Sequence, residues 1–109
     1  MTWRRLAAGV ALAAGAACAG AALGAADPLH RVEIKDVGFA PPVIRVRVGE
    51  AVEWTNNDPV AHTATASDGS WEVDLQPGES GRREMQKAGT FGYLCRYHPN
   101  MTGTIVVAP

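Results

Sequence analysis

The sequence predicts an all-β domain, a sandwich or barrel of short strands. Three observations carry this. From Arg31 onward apolar side chains recur with a period of two, the signature of a half-buried strand. Turn signals break these runs at intervals of about ten residues. No window after Asp27 carries an apolar stripe at helical spacing.

The elements follow in order. Met1-Thr2-Trp3-Arg4-Arg5 is a short basic start, Leu6 to Ala17 is an Ala/Leu/Val/Gly run, and small residues lead to Ala25-Ala26. This is the pattern of a secretory signal peptide over residues 1–26, cleaved after Ala26, with the folded domain at 27–109. The rival readings are a retained anchor, for which the run is only weakly hydrophobic, and lipid attachment at Cys18, which lacks a bulky aliphatic residue three positions earlier. Val32 and Ile34 then alternate with Arg31, Glu33 and Lys35. After the turn signal Ala40-Pro41-Pro42 come Ile44, Val46 and Val48, and after Gly49-Glu50 come Val52, Trp54 and Asn56. His62 follows the Asn57-Asp58-Pro59 turn and begins another strand. Further turn signals stand at Ser67-Asp68-Gly69, Gln76-Pro77-Gly78-Glu79 and Lys87-Ala88-Gly89. Phe91, Tyr93 and Cys95 share one face of the penultimate strand, Asn100 and Gly103 suit a return turn, and Ile105 and Val107 close the chain. The expected core is Val32, Ile44, Val46, Trp54, Phe91 and Ile105, with Trp71 packing beside it and Met85 buried from a separate strand. His30 reads as solvated surface.

The chain has 109 residues, which suits one compact domain. Without residues 1–26 it carries 8 basic and 11 acidic side chains, a net charge of −3, which gives nucleic acid nothing to hold. It then also has a single cysteine, Cys95. An exported protein with one cysteine cannot form an internal disulfide, and binding a metal as thiolate protects it.

The run Cys95-Arg96-Tyr97-His98-Pro99-Asn100-Met101 places a thiolate, an imidazole and a thioether three residues apart, with His62 far upstream. Magnesium and calcium prefer oxygen ligands, and zinc has no use for a methionine. Two imidazoles, one thiolate and one weak thioether are the donors of a blue-copper electron-transfer site. The alternation puts this site at one pole of the sandwich, with His98 on an exposed outer turn.

The chain resembles the cupredoxins, the amicyanin, pseudoazurin and plastocyanin group most of all. The resemblance rests on Gly38-Phe39-Ala40-Pro41, on Val48-Gly49-Glu50-Ala51-Val52-Glu53-Trp54-Thr55-Asn56 with Asp58 and His62, and on Gly89 through Cys95 to Gly103-Thr104-Ile105-Val106-Val107. It implies a Greek-key β-sandwich of about eight strands holding one type 1 copper ion that cycles between Cu(I) and Cu(II). His62, Cys95 and His98 are then equatorial ligands and Met101 the axial one. Thr63 stands where amicyanin and plastocyanin carry an asparagine that ties the two ligand segments together. The function implied is single-electron shuttling in the periplasm between a donor and an acceptor protein. These partners dock transiently near His98 and Pro99 on a monomer, with Arg96 either solvated or drawing an acidic partner. Copper delivery is the alternative. An enzyme joining further copper centres needs more than the three histidines present and a His-x-His pair, which is absent.

Overall fold

A computed structural model describes residues 28–109; the signal segment and Cys18 lie outside the described residues. The described chain forms nine strands: β1 (Leu29–Ile34), β2 (Phe39–Ala40), β3 (Val43–Arg47), β4 (Ala51–Asn56), β5 (His62–Ala66), β6 (Glu72–Leu75), β7 (Ser80–Glu84), β8 (Gly89–Cys95) and β9 (His98–Ala108). They build two facing sheets, ordered β2-β1-β4-β7 and β3-β9-β8-β5-β6, with connections that cross between sheets. Among the described residues there is no helix.

The count is nine where the resemblance implies about eight, and β2, only two residues long, is too short to show an alternation in the sequence. A tight reversal makes it. Lys35 and Gly38 exchange two backbone hydrogen bonds of 3.1 Å, and the residues between them, Asp36 and Val37, both take positive φ. β7 was hidden for another reason. Its inward position is Gly81, where a Cβ would lie 2.5 Å from Val73 Cγ1, so the strand shows no apolar beat.

The core lies between the sheets. Trp54 is fully buried and meets the Tyr93 ring edge-on at 5.4 Å; Trp71 stacks on Trp54 at 5.4 Å, and Phe39 meets Tyr93 at 4.6 Å. Val32, Ile44, Val46 and Ile105 are buried as expected, and so is Met85, just past β7. Each such side chain contributes roughly 1.5–3 kcal/mol by leaving water. Three expectations change. Phe91 is half-buried and lies against the core rather than in it. His30 is half-buried on β1 and bonded to Glu50 Oε1 at 2.8 Å, not free in solvent. Asn100 and Gly103 belong to β9, and the return turn is shorter than the sequence suggested. Gly103 is required there by its cross-strand neighbour: a Cβ would stand 2.4 Å from Tyr93 Cζ, so only glycine lets that ring lie over β9.

Candidate metal centre

The site is built at the end of the five-stranded sheet. β5 opens with His62, paired to Leu75, and β8 ends at Cys95. The chain reverses through Arg96 and Tyr97 alone, so that His98 already pairs with Cys95 as the first residue of β9. His98 is therefore half-buried at a strand start, not out on a loop. The register then slips. Leu94 pairs Thr102 while Cys95 pairs His98, and Pro99, Asn100 and Met101 bulge between them. A bulge re-aims side chains, and here Met101 ends up buried in the same core cluster as Cys95.

All four residues named from the sequence come to this pole. His62 Nδ1 and His98 Nδ1 each lie 3.7 Å from Cys95 Sγ, and the three donor atoms stand within 4.8 Å of one another. The imidazole rings are 4.9 Å apart, tilted by 53°. His62 and Cys95 are fully buried. Met101 joins His98, Pro99, Asn100, Tyr97 and Val37 around a shallow surface depression of about 440 Å³.

The far side of His62 is held by a residue whose role the sequence reading left unassigned. Asp58 Oδ2 lies 2.7 Å from His62 Nε2, and the carboxylate also accepts the backbone N–H groups of Asp36 (2.7 Å) and Val37 (2.8 Å). Burial acts to raise the Asp58 carboxyl, but those two amides and the imidazole outweigh it and hold it below the ordinary value. With the ring N–H donated to a carboxylate, Nδ1 keeps its lone pair facing the sulfur, the usual support of a metal-binding histidine. The available signal was an acid four residues before a candidate ligand.

Thr63 does the work expected of the absent asparagine. Its N–H donates to Cys95 Sγ at 3.3 Å, and its hydroxyl oxygen accepts the Arg96 N–H at 2.8 Å, tying β5 to the ligand turn. The same hydroxyl lies 2.8 Å from Thr65 Oγ1, which donates to Glu72 Oε1 at 2.8 Å. Glu72 in turn grips the Arg96 guanidinium with two bonds, 2.6 and 2.7 Å, and Tyr97 donates to Asp74 Oδ2 at 3.0 Å. Arg96 and the Thr65 hydroxyl hold the Glu72 carboxyl down to about 2. Arg96 is thus a half-exposed clamp between the turn and β6, its charge paired with Glu72 rather than free.

The chemistry of this donor set suits a metal ion. A buried thiol without a disulfide partner faces two imidazole nitrogens and receives a backbone N–H. Thiolate plus imidazole selects a soft or borderline transition metal over hard cations.

Comparison with known proteins places the chain in company. The family model described as a cupredoxin-like domain matches residues 6–107. Amicyanin-alpha of Methylorubrum extorquens is 32% identical over 117 residues, covering 95% of this chain and 98% of that protein. A plastocyanin of Scenedesmus fuscus is 37% identical over 83 residues, covering 63% and 85%. Among solved structures, an amicyanin variant in its Cu(I) form superposes with a TM-score of 0.65 at 26% identity, over 76% of this chain and 85% of the other. An oxidised amicyanin variant gives 0.67 at 26% identity with the same coverage.

Proposed function

This chain belongs to the family of cupredoxin-like domains, and on that premise we propose that it is a periplasmic blue-copper protein carrying single electrons between redox partners. The observation that carries the proposal is the convergence of His62 Nδ1 and His98 Nδ1 on Cys95 Sγ, each at 3.7 Å. His62, Cys95 and His98 would hold the ion, with Met101 as the weak fourth donor. Bound copper would supply a one-electron couple between Cu(I) and Cu(II).

The protein's own contribution is to keep the donors still. His62 is fixed from behind by Asp58, Cys95 is held by the Thr63 amide, and the turn carrying His98 is pinned to β6 through Arg96 and Tyr97. Ligands that barely move between oxidation states cost little reorganisation per electron. His62 and Cys95 are closed to solvent, which suits a resident ion better than one handed to an acceptor. His98 is the donor that reaches the surface, at the depression it shares with Pro99, so partners would dock there. Val37, Val60 and Tyr97 are the exposed apolar side chains of this pole, and a small apolar contact suits the short-lived complexes of redox proteins. An exported monomer is the form this reading requires.

Copper titration into the metal-free protein, followed by absorption spectroscopy, tests the proposal. One equivalent of Cu(II) should produce an intense visible band from thiolate-to-metal charge transfer, and voltammetry should show a reversible one-electron wave. Cys95→Ser should remove the band and leave the β-sheet circular dichroism intact. A strong band surviving in Cys95→Ser would overturn the ligand assignment, and a protein that binds copper without colour would overturn the carrier reading.

A further inference from the structure

We infer that the partner docking on this pole presents a cationic face. The inference rests on the carrier reading above and names the chemistry of its partner. The charges of the described chain are unevenly shared between its two ends. Glu33, Asp36, Asp58, Glu72, Asp74 and Glu79 stand on the strand ends and connections of the metal pole, facing only Lys35 and Arg96 among the described residues. The other half carries Arg31, Arg45, Arg47, Arg82, Arg83 and Lys87, with the acids Glu50, Glu53, Asp68 and Glu84 set against them. One end is acidic and the other mildly basic.

The geometry at the ligand turn sharpens this. Arg96 is the cation nearest the depression, and Glu72 neutralises it through two bonds of 2.6 and 2.7 Å. Asp74 is left over. Its side chain is 45% exposed, it accepts the Tyr97 hydroxyl, and Tyr97 lines the depression. Asp36 is also exposed and sits in the same two-residue turn as Val37, another lining residue. Acidic residues thus adjoin two of the residues that line the depression around His98, Tyr97 and Val37. An apolar floor supplies contact without orientation, while a flanking field orients the incoming molecule and raises the association rate. An acidic partner would meet like charge here. A cationic one would be turned to face His98.

Two small probes test this, one of which needs no copper. Hexaamminechromium(III), a paramagnetic trication, is titrated into the metal-free protein and the broadening of amide resonances is mapped. Glu72, Asp74, Tyr97 and Asp36 should broaden first, and Arg83 and Lys87 last. In the second arm the Cu(I) protein is oxidised by tris(phenanthroline)cobalt(III) or by hexacyanoferrate(III). One electron passes to the oxidant, leaving Cu(II) with Co(II) or Fe(II). The cobalt rate should fall severalfold as ionic strength rises to about 0.5 M, where exposed charges are screened, and the cyanoferrate rate should rise. Glu72→Gln with Asp74→Asn should lower the low-salt cobalt rate about threefold. The control pair Asp68→Asn with Glu84→Gln changes net charge equally at the far end and should have less than half that effect. Equal effects from the two pairs, or broadening that favours the far end, would overturn the inference. Failure of the carrier reading looks different: no blue band and no electron passed to either oxidant, with the chromium map still readable.

Discussion

Asp58 is the residue where three parts of the molecule meet: the His62 imidazole, the Asp36–Val37 turn and, through the Asn56 side chain that accepts its own N–H at 2.9 Å, the end of β4. Removing its charge while keeping its size isolates the electrostatic part. Asp58→Asn should raise the copper reduction potential, because a carboxylate behind His62 favours the more highly charged Cu(II) ion. It should also weaken metal affinity about 10–100-fold, the usual cost of losing such a support. Voltammetry and a competitive metal titration read both, and an unchanged potential would mean that the carboxylate only holds the turn. Met101→Leu should keep copper yet also raise the potential, since a thioether donates weakly to Cu(II) and its loss destabilises that state more; an unchanged value would reduce Met101 to packing. The four donors were legible because their chemistry is rare and three of them sit in one seven-residue run. Asp58 was visible only as an unexplained neighbour. Glu72 was invisible, because its bond to Arg96 spans 24 residues and no spacing rule announces it.

At the level of elements, the alternation showed β1, β3, β4, β8 and β9 because each sets apolar side chains against polar ones along at least part of its length. It missed β2 for its brevity and β7 for the glycine at its inward position. It also placed the return turn too late, since a bulge at Leu94/Cys95 shifts register without any change in composition. The β1–β2 turn holds the clearest local conflict. Val37 has φ 57°, where a β-branched residue is strongly disfavoured, and the Asp58 carboxylate holds it there by accepting its N–H. Left-handed backbone costs a non-glycine residue about 1–2 kcal/mol, and glycine loses about 0.5–1 kcal/mol more chain entropy on folding. Val37→Gly should therefore stabilise the fold by about 0.5–1 kcal/mol, seen in urea as a higher midpoint with an unchanged slope. A destabilised variant would show that the Val37 side chain contributes more than its strain costs. The turn–β6 clamp has its own pH signature. The Glu72 carboxyl is lowered from 4.5 to about 2, so its contribution is fully present above the ordinary value and is lost as pH falls toward 2. The side-chain N–H resonance of Arg96 should stay protected near pH 4 and vanish at lower pH; loss of protection already above pH 5 would mean that the ion pair is not formed in solution.

At the scale of the whole molecule, the donors His62, Cys95, His98 and Met101 all come from β5, β8 and β9 of one sheet, while Asp58 comes from the connection that crosses between sheets. The site is thus a product of sandwich assembly, and the sandwich is held largely by buried side chains that are not themselves donors, among them Val32, Ile34, Val52 and Ile105. This order of causes has a measurable consequence. Small domains that fold around a metal are unfolded without it; this one should be folded, cooperative and less stable when metal-free. Metal that binds only the native arrangement adds stability by mass action, about 4 kcal/mol when free metal is a thousandfold above Kd. In a domain of this size that corresponds to a rise in Tm on the order of 15–30 °C. Calorimetry of the metal-free and copper-loaded protein gives both numbers. A metal-free chain with no cooperative transition at 25 °C would mean that copper assembles the pole, and the hydrogen bonds from Asp58, Thr63 and Glu72 would then follow the ion instead of preparing its place.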